Sequence, residues 1–448
     1  MSNKQKNVDL LAGNPAKALI KLSLPIILAS YLQILYNITD MFWISSLGAN
    51  NIAAVGTGGN FMWLATGVMI IPRMGGQVLS GRAYGSQNRK EALKISATAL
   101  KMGVISSIAV AGIFIVFNRG LIGFFQFNNQ ETIHSAETYL KAVALGMPAV
   151  FLTGIISGLM AAGGNTQIYL KATLIGLLLN MILDPVLIYK ADLKVLGAAL
   201  ATIFAQYIVL IILCIGAARQ QFFHGIKLFK TMDKEYYLNI LKLGIPAGFQ
   251  SMFYSLITIV IGRLVAEFGD LQVAVQRVGS QLESITYTVA DSLAITLNAF
   301  NAQNLAARNG IRLKKGYHFS LVLSIMVGLV GMVLFVGFPD SLANLFFTDS
   351  FEIESAKSYL MIVGFSQIFM CLEIMLIGNF AGLGNTFYPS LIATFLTLLR
   401  IPMAYFLSHQ GLGINGIWYT ISGSSIIKGI ILLLYYHYYQ KHLLENLV

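Results

Sequence analysis

Two acidic residues stand where acids are costly. Asp40 lies in NITDMFWISSLG (Asn37 to Gly48), at the end of an apolar stretch that begins near Leu22. Asp184 lies in LLLNMILDPVLIY, inside a second apolar run. An ionised carboxylate at mid-bilayer costs at least ~2.5–3.5 kcal/mol on insertion scales, so such residues usually face a cavity and act. Helical spacing gathers further oxygens around both. Asn180 precedes Asp184 by one turn and shares its face, and Tyr36 and Asn37 share the face of Asp40. Pro185 has no N–H to donate, which frees the Met181 carbonyl beside the acid and invites a kink. Carboxylates with amide, hydroxyl and phenol oxygens suit a proton or a hard cation. Two nearby carboxylates resist joint ionisation, so one of them is drawn toward holding a proton.

Such residues need membrane-spanning helices to position them, and the composition supplies them. The 448 residues are 56% hydrophobic and 11% charged, with a mean hydropathy of +0.71. Soluble proteins carry roughly 25% charged residues. Apolar runs of about 20 residues, enough to cross a bilayer, recur along almost the whole chain. Gly, Pro and charge punctuation predict twelve spans, at 17–46, 53–80, 93–117, 136–160, 168–189, 195–217, 239–266, 272–302, 316–338, 356–380, 387–408 and 414–438. The expected fold is an all-α polytopic membrane protein, inserted in the inner (plasma) membrane without a cleavable leader. Cys214 and Cys371 fall inside spans and form no disulfide framework, and the six histidines scatter near loops and helix ends without metal-type spacing. An intramembrane enzyme would need a nucleophile–base pair or metal ligands at depth, so the chain reads as a non-enzyme.

The net charge of +11 is a topology signal. Lys and Arg concentrate in the N-terminal tail, in every second loop and at the C-terminus, while the alternate loops hold only Arg119, Lys141, Lys190, Lys194 and Lys357. The positive-inside rule then places both termini in the cytoplasm, and a nucleic-acid partner drops out. On this orientation Asp40 and Asp184 lie in the outer thirds of spans 1 and 5. Tyr139, Thr202 and Gln206 reach the same depth from spans 4 and 6.

The two halves repeat. IKLSLPIILAS (Ile20 to Ser30) is echoed by LKLGIPAGFQS (Leu241 to Ser251), SLGANNIAAVGTG by EFGDLQVAVQRVG, AYGSQN by NLAARN, SAETYL by SAKSYL, and GNT at Gly164 by GNT at Gly384. All five matches keep one order and an offset of 220 or 221 residues. An offset of six spans preserves orientation, so the bundles are parallel repeats about an axis along the membrane normal. The expected organisation is a lobe over 1–217, a cytoplasmic linker over 218–238 and a second lobe over 239–448. The repeat does not copy the acids. Ile261 stands opposite Asp40, Ala404 opposite Asp184, and Arg400 opposite Asn180, which leaves the coupling chemistry in the first half. The second half has its own charges in Arg263, Glu283, Asp291 and Glu373, read as internal salt-bridge partners, with Arg73 of the first half as a further buried cation that could pair with one of them.

The twelve spans, the two six-helix repeats, NITDMFWISSLGANNIAAVG in span 1, GRAYGSQN after span 2, GNT after spans 4 and 10 and NMILDP in span 5 together resemble the multidrug and toxic compound extrusion (MATE) transporters. The resemblance implies a V-shaped pair of pseudo-symmetric six-helix bundles around a central cavity, and cation-coupled efflux of bulky, often cationic organic compounds from a monomer. It implies that Asp40, Asn180, Asp184 and Thr202 form an N-lobe site for H+, or for Na+ as its ligands in the alternative, with Tyr139 nearby. Tyr36, Asn37, Gln206, Ser157, Glu373 and Asp291 are accessory or substrate candidates; Ser157 stands where relatives carry an amide on span 4. Relatives of the NorM type place acids on spans 7 and 10. This chain has Tyr254 at the span 7 position, and span 10 offers only Glu373, out of register with the acid of those relatives, which is similar to the DinF-like branch. No cofactor is expected. A lipid-linked precursor flippase of the same superfamily would line its cavity with several cations for a pyrophosphate, whereas the first half here reads acidic. A passive channel suits two asymmetric halves less well than alternating access does.

The orientation makes a direct prediction. Cysteines introduced at Asn50 and Asp349 are labelled by a membrane-impermeant maleimide added outside the cell, and one at Lys230 is not. Labelling at Lys230 under those conditions would reverse the topology.

Overall fold

The computed structural model describes residues 7–125, 127, 129–219 and 233–445, and the described residues form helices and turns without a strand. The expected linker and its Lys230 fall largely on 220–232, outside the described residues. The helices are α1 (Pro15–Ser45), α2 (Ala49–Gly85), α3 (Arg89–Val116), α4 (Asn118–Gly123), α5 (Gln130–Ala162), α6 (Gln167–Pro185), α7 (Lys194–Arg219), α8 (Lys234–Ala266), α9 (Asp270–Ala306), α10 (Gly310–Gly337), α11 (Pro339–Ala343), α12 (Ser350–Gly364), α13 (Gln367–Gly382), α14 (Phe387–Leu398), α15 (Arg400–Leu407) and α16 (Ile414–Glu445).

Every expected span is met by helix. Among the described residues, ten are long and apolar enough to cross a membrane by themselves, and α12 with α13 makes an eleventh, bent by 48°. The expected span 356–380 is therefore broken rather than continuous. The break falls at Gly364–Ser366, where Ser366 Oγ turns back onto the Val363 carbonyl at 2.8 Å; a Gly/Ser pair is a common site for such kinks. The twelfth span is α9. Its Gln272, Gln276, Arg277, Gln281, Glu283 and Asp291 keep it below the apolarity of the others, and it buries polar residues that include Thr286, Ser292, Thr296, Asn298 and Asn301. Lipid-facing surface is plain elsewhere: Ile105, Ile108, Ile113 and Val116 on α3, and Val322, Met326 and Val330 on α10, are exposed.

By packing, the chain divides into two units. One comprises Ile20–Gly248 with the segment ending at Asp9; the other comprises Leu10–Leu19 with Phe249 onward. In the first, the buried α5 packs against α2, α3 and α7. In the second, α13 takes the same part, against α9, α10 and α16. The internal repeat extends to backbone detail. Gly48 and Gly269 precede α2 and α9 at φ +91° and +101°, a region open to glycine and costly to side chains. Asn88 accepts from Glu91 N and Asn309 from Arg312 N, capping α3 and α10 in the same way. A side chain on Gly58 would meet the ring of Tyr139, and one on Gly279 the ring of Tyr359, so each repeat seats a tyrosine in a glycine socket.

The segment before α1 is held by side chains. In the first unit Val8 N donates to the Gly164 carbonyl at 2.9 Å. In the second, Arg312 donates to the carbonyls of Leu10, Ala12 and Gly13, Asn304 also donates to Leu10, and the Leu10 side chain is buried.

Close helix approach in the second unit depends on GNFAG. Gly378 and Gly382 lie one turn apart on α13, and a Cβ on either would run into the α9 backbone at Ala294 or Asn298. Small residues at this spacing let membrane helices meet at the backbone. Gly378→Ala is predicted to cost ~1–3 kcal/mol through overpacking, read as a lowered melting temperature in detergent. Gly423→Ala, on α16 with no atom within 4 Å of the added methyl, should leave it unchanged or slightly raised.

Candidate functional site

The acidic site is assembled by one helix break and one tie. Pro185 ends α6, and the chain continues as a π-helical turn over Val186–Lys190, the expected departure from a straight helix. That turn presents Tyr189, whose Oη donates to the Trp43 carbonyl at 2.7 Å, with the two rings edge to face at 6.0 Å. The C-terminal end of α1 is thereby pinned to the end of α6, and Asp40 is brought beside Asp184.

Around the pair, Asn180 Nδ2 donates to Asp184 Oδ1 at 3.2 Å, and both residues are fully buried. The remaining oxygens are unanswered. Tyr36 Oη and Asp40 Oδ1 of α1, Asn180 Oδ1 and Asp184 Oδ2 of α6, and Thr202 Oγ1 of α7 are all buried without a hydrogen-bond partner. Tyr139 of α5, also buried, lies within electrostatic reach of both acids, and the two acids lie within reach of each other. Tyr36 neighbours Asp40, Asp184, Tyr139 and Thr202. Buried polar groups are nearly always paired. Five unpaired oxygens in one cluster, two of them carboxylate, have the chemistry to take up a proton or a hard cation.

A narrow cleft opens beside this cluster, lined by Gln33 and Tyr36 of α1, Thr153 of α5, Tyr169 and Thr173 of α6 and Gln206 of α7, among others. Of the other candidates, Gln206 belongs to the cleft and meets the cluster through Tyr36. Asn37 is exposed. Ser157 spends its hydroxyl on the Gly154 carbonyl of its own helix at 2.8 Å. Thr153, Tyr169 and Thr173 were not singled out by the sequence analysis; Thr173 lies two turns before Asn180 on the same face, so extending the helical spacing by one period finds it.

The second unit holds the other charges. Lys428 of α16 and Glu373 of α13 form a buried ion pair at 2.8 Å. Glu283 of α9 accepts from Tyr359 Oη at 2.6 Å and from Gln367 Nε2 at 3.4 Å. Asp291 is half-buried on α9, and Arg263 is exposed. Arg73 of the first unit lays its side chain along Gly158, beside Gln77. Lys428 was absent from the sequence analysis.

The MatE family model matches residues 25–186 and again 246–406, one copy in each half. The chain is 26% identical over 427 residues to the probable multidrug resistance protein YoeA of Bacillus subtilis, covering 93% of this chain and 91% of that one. It is 24% identical over 432 residues to the probable multidrug resistance protein NorM of Thermotoga maritima, covering 94% and 92%. Its fold is similar to that of a multidrug resistance MATE family transporter of the MOP superfamily solved in an outward-facing conformation, with a TM-score of 0.91, 21% identity and 98% of each chain covered. Two matches to one family model, each falling on one repeat of an all-helical membrane protein, leave a single assignment: the chain belongs to the MATE family of transporters.

Proposed function

We propose that this transporter exports organic compounds, cationic ones among them, across the plasma membrane in exchange for H+. The names of its relatives support multidrug efflux. The single observation that carries the coupling is the set of five buried oxygens without partners, drawn from α1, α6 and α7. Asp40 and Asp184 are too close to both stay ionised cheaply. A proton taken by one of them lets the pair share a hydrogen bond and relieves the neighbouring Asn180 and Thr202. The same all-oxygen set would serve Na+, with Asp40, Asn180, Asp184 and Thr202 as ligands.

Exchange follows from competition. With the acids ionised, the cluster favours water or the positive end of a substrate. With the charge neutralised, α1 can pack its Asp40 turn against α6 and α7. A ligand shifts a two-state equilibrium only by its difference in affinity for the two states; here the ion and the cationic compound prefer opposite states of one cluster. Alternating access between lobes 1–217 and 239–448, with both termini cytoplasmic and a monomer as the working unit, completes the proposal.

Asp184→Asn and Asp40→Asn each mimic the neutral state permanently. Both are expected to insert at wild-type levels, to lose export of a fluorescent cation such as ethidium, and to lose ethidium-induced H+ release in vesicles. Full export by Asp40→Asn would return Asp40 to a helix tie, and ion release that follows imposed Na+ rather than pH would replace H+ by Na+.

The Lys428–Glu373 pair predicts a different pattern. Glu373→Gln alone strands a buried ammonium and should destabilise the protein by ~3–5 kcal/mol, whereas Glu373→Gln with Lys428→Met removes both charges and should recover most of that loss. Melting temperatures of the two variants in one detergent decide it, with export retained by the double variant.

A further inference from the structure

The second unit contains a counterpart of the acidic site with its polarity reversed. At the repeat offset, Tyr139 corresponds to Tyr359 and Thr202 to Ser422, so the phenol and a hydroxyl are kept. Asp40 and Asp184 correspond to Ile261 and Ala404, which are buried in an apolar cluster with Tyr359 and Trp418. Asn180, the amide beside Asp184, corresponds to Arg400. Two acids are gone and a guanidinium has arrived.

Arg400 is 8% exposed and stands at the first turn of α15. The helix is interrupted there because Pro402 has no N–H for the Leu398 carbonyl. Its contacts are all neutral. Nε donates to Ser424 Oγ at 2.6 Å, and Nη2 donates to Ser425 Oγ at 3.0 Å and, at the long distance of 3.5 Å, to the Ile421 carbonyl. Neither ion pair found among the described residues includes it. The two serines thus hold the Nε–Nη2 edge of the guanidinium, and no hydrogen bond is formed by Nη1 among the described residues. Nη1 is unspent and Nη2 meets the Ile421 carbonyl only at 3.5 Å, so a carboxylate that replaces that long contact can take the Nη1–Nη2 end as a bidentate pair.

The surrounding charges define what fits. Lys428 and Glu373 neutralise each other at 2.8 Å. Glu283 lies within electrostatic reach of Arg400 but beyond ion-pair distance, and both of its oxygens are already occupied by Tyr359 and Gln367. A buried guanidinium with no acid at ion-pair distance, and with the like charge of Lys428 within electrostatic reach, is expensive in a membrane-spanning bundle, which makes a ligand the natural partner. One open edge suits one monoanionic group. A phosphate dianion would meet the repulsion of Glu283 with a single guanidinium to offset it.

We propose that Arg400 is the receptor of an anion site in the second unit that takes a carboxylate, either free or as part of a transported compound. The second of these forms rests on the efflux reading above; the first does not. Ser424 and Ser425 orient the guanidinium as positioning residues, and Tyr359 with Gln367 keeps Glu283 from closing onto it.

The test uses the purified full-length chain in detergent, titrated at constant ionic strength with benzoate and with its neutral isostere benzyl alcohol, followed by melting temperature and calorimetry. Benzoate is expected to bind and to raise the melting temperature where benzyl alcohol does not. Arg400→Gln should abolish that difference. Arg400→Lys, which keeps the charge and loses the fork, should weaken benzoate binding on the order of tenfold and guards against a variant that fails to fold. Equal effects of benzoate and benzyl alcohol on the wild type would overturn the site, as would benzoate binding unchanged in Arg400→Gln. A second arm compares export, in reconstituted vesicles, of a rhodamine bearing a free carboxylate with that of its methyl ester. Selective loss of the carboxylate form in Arg400→Gln assigns the site to substrate, and equal export of both with benzoate binding lost assigns it to a free anion. Wild-type protein that binds benzoate but exports neither dye would fault the efflux reading and leave the anion site standing.

Discussion

A charge carried into a bundle of membrane-spanning helices has to be answered there, because lipid offers nothing to solvate it. That constraint organises this protein. In the first unit it draws an amide, two hydroxyl-bearing side chains and a second acid to Asp184, and it ties α1 to the end of α6 so that Asp40 is delivered to the same place. In the second it closes Glu373 onto Lys428 and dresses Glu283 with a phenol and an amide. The two solutions differ in completeness. The ion pair is satisfied within the protein, whereas the acidic cluster is left with oxygens unanswered. An unanswered group is where a travelling ion can act.

The two repeats separate architecture from chemistry. Glycine at the entry to α2 and α9, asparagine at the start of α3 and α10, and a tyrosine seated against a glycine are retained at constant offset. These features set helix directions and spacings, and drift in any one of them would misplace a whole helix. The polar positions tolerate exchange because a side chain can be replaced without moving the backbone. Asn180 and Arg400 occupy equivalent places, one a neutral amide and the other a full positive charge.

Spans, repeat and acids were legible in the sequence because each leaves a local mark. Apolar length marks a helix, a one-turn interval places Asn180 with Asp184, and a fixed offset reveals the duplication. What escaped was settled by partners distant in the chain. Lys428 and Glu373 are 55 positions apart, and nothing near either residue announces the other. Nothing in the sequence singled out Tyr189, and its role became visible only with the Trp43 carbonyl in place. The bend at Gly364–Ser366 carries no proline, so apolar length alone read through it as one helix. Charge alone says of Arg73 only that an acid could answer it; its packing along Gly158 follows from the missing Cβ, which opens room for an aliphatic stem.

The hold on the segment before α1 bears on how the protein can be handled. Arg312 is 9% exposed and directs its guanidinium at the carbonyls of Leu10, Ala12 and Gly13, with Asn304 alongside. Those acceptors belong to a stretch that sequence alone would class as a dispensable polar tail. Trimming the chain to the start of its first helix would strand a buried guanidinium, and an affinity tag fused close to Leu10 would compete for the same donors. Fusions at the other terminus, beyond the last turn of α16, avoid this anchor altogether.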